Sequence, residues 1–104
     1  MIGVLLAAAA VTNVGVAERE WNVAAYRPSV KAGVVVFNVH NFGEDRHDLQ
    51  VRGPDGFRSA RTPEIAPGGT ARLRVRLQRR GAYRLVGTLP GHAARGMRAT
   101  IRVR

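Results

Sequence analysis

Thr70-Ala71-Arg72-Leu73-Arg74-Val75-Arg76-Leu77 alternates without a break. Leu73, Val75 and Leu77 fall on one side of an extended chain, and Arg72, Arg74 and Arg76 on the other. Such a stretch reads as a strand with one face in a core and one in water. The arginines are expected to be exposed and the three apolar residues buried. A shift of one residue would reverse both faces.

The same reading extends in both directions. Met97 to Val103 alternates again, with Ala99, Ile101 and Val103 opposite Arg98, Thr100 and Arg102. Tyr83 to Val86 is a short strand after Gly81. Val34 to Val39, with Phe37, is a β-branched run suited to a buried strand. Val14 to Tyr26 is a looser strand pattern, and His47 to Val51 resumes one. Between them lie turn signals: Arg27-Pro28-Ser29, a turn inviting positive φ at Gly33, Gly53-Pro54-Asp55-Gly56 and Pro67-Gly68-Gly69. Thr88 to Gly96 reads as a loop, and no segment has a helix signal. Seven or eight short strands at this spacing give an all-β domain, a Greek-key β-sandwich or barrel.

The chain has 104 residues, the size of one domain. Hydrophobic residues make up 45%, which excludes a disordered chain. Cysteine is absent, so no disulfide or thiol nucleophile can form. Ile2 to Val11 is an apolar stretch of signal-peptide length, too short to span a bilayer. Residues 1–12 are therefore expected to be a signal-like or truncated leader, and 13–104 the domain. No basic residue precedes the stretch, and cuts after Ala10 or Ala17 are both awkward. The implied location is extracytoplasmic, periplasmic or secreted.

The formal charge is +10, and Lys31 is the only lysine. An acidic partner protein would fit that balance, and so would a solvated arginine-rich surface. No nucleic-acid-binding motif or aromatic stacking platform is visible, so nucleic acid is not expected. No transmembrane helix is expected, and the domain reads as a monomer.

Three side chains could ligate a metal: His47 after a loop, and His92 and Met97 in the last long loop. Their spacing alone leaves metal binding open. His40 falls opposite the Phe37 and Val39 face and reads as a surface residue.

The surrounding words are more specific. Asn41-Phe42-Gly43 precedes Arg46-His47-Asp48-Leu49. Pro67-Gly68-Gly69-Thr70 and Gly81-Ala82-Tyr83-Arg84-Leu85 follow, and Pro90-Gly91-His92-Ala93-Ala94-Arg95-Gly96-Met97 comes near the end. In order and spacing, residues 14–104 resemble the cupredoxin (blue copper, plastocyanin-like) family. The resemblance implies that His47 and His92 are the imidazole ligands and Met97 the axial thioether. The thiolate position then falls on Gly87. Asp48 resembles a position that ties the two ligand loops by hydrogen bonds. In a blue centre two imidazoles and a thiolate surround copper with a weak, long thioether contact. Glycine offers no donor, so the resemblance implies weak copper binding without a type-1 blue centre. A metal-free binding or structural module of the same fold is the alternative, and a divergent electron-transfer protein is a third reading. No catalytic residues are apparent, and enzymatic activity is not expected.

Overall fold

The computed structural model describes residues 10–104. Eight strands follow one another: β1 (Val11–Arg19), β2 (Asn22–Ala25), β3 (Ser29–Val30), β4 (Gly33–Asn41), β5 (Gln50–Arg52), β6 (Thr70–Leu77), β7 (Gly81–Val86) and β8 (Arg98–Val103). They form two four-stranded sheets, in the orders β2-β1-β4-β6 and β3-β8-β7-β5. Neither closes on itself, so the architecture is a sandwich. The pairs β1–β4 and β3–β8 are parallel, and the remaining pairs are antiparallel. The expected leader falls mostly on residues outside those described. Val11 and Thr12, at its end, pair with Val34 and Val35.

The alternation of β6 fixes its register. Val75 stands opposite Val35 and Leu73 opposite Phe37, all four facing the core. Arg72, Arg74 and Arg76 are exposed, as the sequence requires. β4 is central in its sheet, and its run from Val34 to Phe37 is buried throughout, which suits a strand covered on both faces. From the second sheet, Leu85, Ile101 and Val103 meet this layer. Tyr83 is buried, and its hydroxyl donates to the Arg79 carbonyl at 2.7 Å, which pins the turn before β7.

Three elements differ from the sequence reading. Val14 to Tyr26 is not one strand but a hairpin, β1 and β2, that reverses at Glu20-Trp21. The Arg19-Glu20 pair interrupts the apolar pattern there, and both side chains have work outside the core. His47 does not open a strand. It makes an isolated bridge with Ile65, and β5 starts only at Gln50. Within the loop from Thr88 to Gly96, His92–Arg95 forms one helical turn, α1. Gly33 takes the expected positive φ, 139°.

Candidate metal centre

Glu18 and Asn41 mark the end of the sandwich where the loops gather, and each is fully buried. Asn41 organises the loop that leads to His47. Its amide donates to the carbonyls of Asp45 (2.7 Å) and Ile65 (2.8 Å), and its side-chain oxygen accepts from Gly43 N–H (2.8 Å). Both amide hydrogens and one acceptor position of that side chain are used, so the loop has little freedom.

The second clamp is Glu20, from the tip of the β1–β2 hairpin. Its carboxylate accepts from the backbone N–H of Asp45 (2.6 Å) and Glu44 (3.0 Å), and meets His47 Nε2 at 2.8 Å. A Cβ on residue 43 would stand 2.5 Å from the Glu20 carboxylate, so only glycine lets the acid approach. The backbone donors of Asp45 and Glu44 pull the Glu20 carboxyl down to about 2. Its stabilising effect is therefore complete above the ordinary carboxyl value and is lost as pH falls towards 2. Glu20→Gln is expected to cost about 2 kcal/mol at pH 7, the usual scale for hydrogen bonds to a charged group. The difference from wild type should vanish near pH 2, as urea denaturation at both pH values will read.

The Glu20 contact also fixes the His47 tautomer. The carboxylate can only accept, so the ring donates Nε2–H to it, and in the neutral ring the lone pair is on Nδ1. His47 is fully buried, and Nδ1 has no hydrogen-bond partner among the described residues. Nδ1 of His92 is buried and unpartnered in the same way. Orphaned buried nitrogens are rare and ask for an explanation. The two rings lie with centroids 5.1 Å apart, inclined at 61°. With a metal–nitrogen bond of about 2.0 Å, two imidazoles on one ion bring their centroids to roughly 5–6 Å.

Met97 and Gly87 complete the cluster. Met97 is fully buried. Its N–H donates to the His92 carbonyl (3.1 Å), and its carbonyl accepts from Gly87 N–H (2.9 Å). A Cβ built on Gly87 would lie 3.0 Å from Met97 Cβ and 3.7 Å from both His92 Cβ and the Asp48 carbonyl oxygen. Residue 87 thus sits among the other expected donors. Asp48 binds the next residue along: Thr88 N–H donates to its carboxylate at 2.6 Å, and the Thr88 hydroxyl donates to its other oxygen. Asp48 therefore ties the His47 segment to the Gly87 segment.

Trp21 was not foreseen as part of this cluster. Its ring meets His92 edge-on at 5.0 Å and His47 at 6.3 Å. The Arg95 guanidinium lies 4.7 Å from its centroid. Gly96 permits the contact: it has φ 123°, and a Cβ there would stand 2.7 Å from the Trp21 carbonyl oxygen. His40 lies elsewhere, stacked on Phe42 at 3.9 Å.

The two imidazole rings lie side by side with unpartnered Nδ1 atoms, and the buried Met97 is joined through its backbone to the His92 and Gly87 segments. Among the described residues no group of three or more His, Cys, Asp or Glu is placed to hold a metal. Two imidazoles and a thioether, brought onto one ion, would suit Cu(I).

By sequence the chain matches no protein-family model and no curated protein. Its fold is similar to that of several solved structures. The dithionite-reduced auracyanin of the photosynthetic bacterium Roseiflexus castenholzii is 20% identical, with a TM-score of 0.73 over 89% of this chain and 97% of that one. Auracyanin B is also 20% identical, with a TM-score of 0.77 over 97% and 94%. Auracyanin A, a "blue" copper protein from the green thermophilic photosynthetic bacterium Chloroflexus aurantiacus, is 15% identical, with a TM-score of 0.76 over 91% and 100%. The fold is that of the cupredoxins, carried here by a chain without cysteine.

Proposed function

We propose that this domain binds copper weakly, through His47, His92 and Met97, without forming a blue centre. The observation that carries the reading is the pair of buried, unpartnered Nδ1 atoms on adjacent imidazoles. A module that had only kept the fold would gain stability by filling or pairing those positions. Bound copper would supply a soft cation that can change oxidation state. The protein's own part is to hold the lone pairs. Glu20 orients His47, Asp48 locks the two loops together, and Trp21 shields both rings. Met97 packs in the core cluster, and in this reading its thioether is the third donor. Carriage or buffering of copper outside the cytoplasm fits this chemistry better than fast electron transfer, because no thiolate is present. The apolar stretch from Ile2 to Val11 supports the extracytoplasmic location. An acidic protein remains the partner that the net charge favours.

Copper titration followed by calorimetry and electron paramagnetic resonance tests the proposal. A colourless protein with a tetragonal Cu(II) signal is expected. His92→Ala should weaken binding by at least roughly tenfold, since even residues that only support a ligand cost that much. Equal affinity in the variant would reject the assignment.

A further inference from the structure

The outer faces of the two sheets carry arginine in different ways. On β6, Arg72, Arg74 and Arg76 stand opposite Asn38, Val36 and Val34 of β4. Each charge has a neutral neighbour, so no like charges stand directly opposite one another there. On the second sheet arginine meets arginine. Arg52 of β5 is directly opposite Arg84 of β7, and on its other side it bridges to Arg58. Arg84 in turn faces Thr100 of β8, flanked along its strand by Arg98 and Arg102. Like charges placed directly opposite on a sheet are destabilising.

Nothing on that sheet offsets the charge. β3, β5, β7 and β8 contain no Asp or Glu. Among the described residues the only arginine–carboxylate pair is Arg79 with Asp55, beyond this face. Gln50 accepts from Arg52 Nε at 3.0 Å, which orients that guanidinium while its terminal nitrogens stay uncommitted. An open cleft of about 270 Å³ lies between Arg84 and Arg98, floored by Ala99 and Thr100. At the usual strand spacing the row from Arg58 to Thr100 spans roughly 14 Å, and Arg98 to Arg102 about the same. Arg52, Arg58, Arg84, Arg98 and Arg102 thus fall on neighbouring register positions of one sheet.

We propose that the outer face of the sheet β3-β8-β7-β5 is a docking surface for an acidic protein, with Arg52, Arg84 and Arg98 at its centre. This deepens the reading of an acidic partner and does not depend on copper. Guanidinium forks match carboxylates in pairs, which lysine does not. Among the described residues the exposed large apolar ones are Val11, Tyr26 and Phe42, none of them on this face. It therefore has no side chain to insert into a lipid layer and no aromatic on which a base could stack.

The test compares two variants that remove the same charge from opposite faces. Arg52→Gln/Arg84→Gln/Arg98→Gln is set beside Arg72→Gln/Arg74→Gln/Arg76→Gln. Binding to a deca-glutamate peptide is measured at several salt concentrations. The first variant should lose roughly tenfold or more in affinity and the second less than about threefold, because charge pairs act mainly over short range in salt. Equal losses would show that net charge alone attracts the peptide and would overturn the face assignment. No salt-dependent binding by wild type would overturn the acidic partner itself. Tighter binding to phosphatidylglycerol vesicles or to duplex DNA, lost through the same three arginines, would assign the face to that partner instead. The single variants Arg84→Gln and Arg74→Gln repeat the comparison with less change to either sheet.

Discussion

Replacing Gly87 with cysteine should create a blue copper site. Residue 87 follows β7, and its Cβ position lies between Met97 and His92. Its φ lies outside the left-handed region, so a side chain is compatible with the backbone. The obstacle is Met97 Cβ at 3.0 Å, which must give by a few tenths of an ångström. Overpacking of this kind costs roughly 1–3 kcal/mol before metal is added. A sulfur at this position would complete the trigonal donor set of two imidazoles and a thiolate. The thiol would lose its proton on binding, because a nearby cation favours the thiolate. Intense thiolate-to-copper absorption is expected in Gly87→Cys with Cu(II), and none in wild type. Gly87→Ser, of nearly the same shape, should stay colourless. A Gly87→Cys protein that binds copper without colour would show that the donors are not arranged as proposed. Absence of binding in both would favour the metal-free module.

The second large effect concerns Glu18. It occupies the inward face of β1, in line with Val14 and Val16, and is fully buried. Neither carboxyl oxygen has a hydrogen-bond partner among the described residues. Burial, with a smaller contribution from the Asp48 charge, pushes its pKa up to about 8 from an ordinary 4.5. The folded protein therefore keeps a proton that the unfolded chain releases between these values. Stability is greatest below the unfolded value, falls as pH rises through this window, and levels off above about 8. The loss across the window should be on the order of 3–5 kcal/mol. Glu18→Gln keeps the shape and removes the titration, so its advantage over wild type should grow from pH 5 to pH 9. Urea denaturation at the two pH values reads the difference. Parallel pH profiles for the two proteins would show that Glu18 is ionised in the fold, or reaches water.

Much of this structure was legible in the sequence, and particular residues show why. The alternation from Thr70 to Leu77 set the faces of β6 because one side had to be apolar and the other charged. The words around Asn41-Phe42-Gly43 and Pro90-Gly91-His92 pointed to two loops whose histidines, His47 and His92, lie 5.1 Å apart between ring centroids. Glu20 and Trp21 were missed. They lie in the chain far from His47, and only the β1–β2 reversal brings them to it. The one available signal was the break in alternation at Arg19-Glu20. The helical turn α1 had a signal too, two alanines between glycines, but a loop was expected there. The bridge between His47 and Ile65 had none, since it depends on how the segment from Arg58 to Ala66 lies across the loop. The arginine row on the second sheet needed the cross-strand register, which no single strand contains.

X-ray absorption at the copper edge of the Cu(I)-loaded wild-type protein tests the central claim most directly. Two imidazole nitrogens and one sulfur are expected in the nearest shell, with the sulfur lost in Met97→Leu and one imidazole lost in His92→Ala. A shell of oxygen donors alone, or one that neither substitution changes, would contradict it.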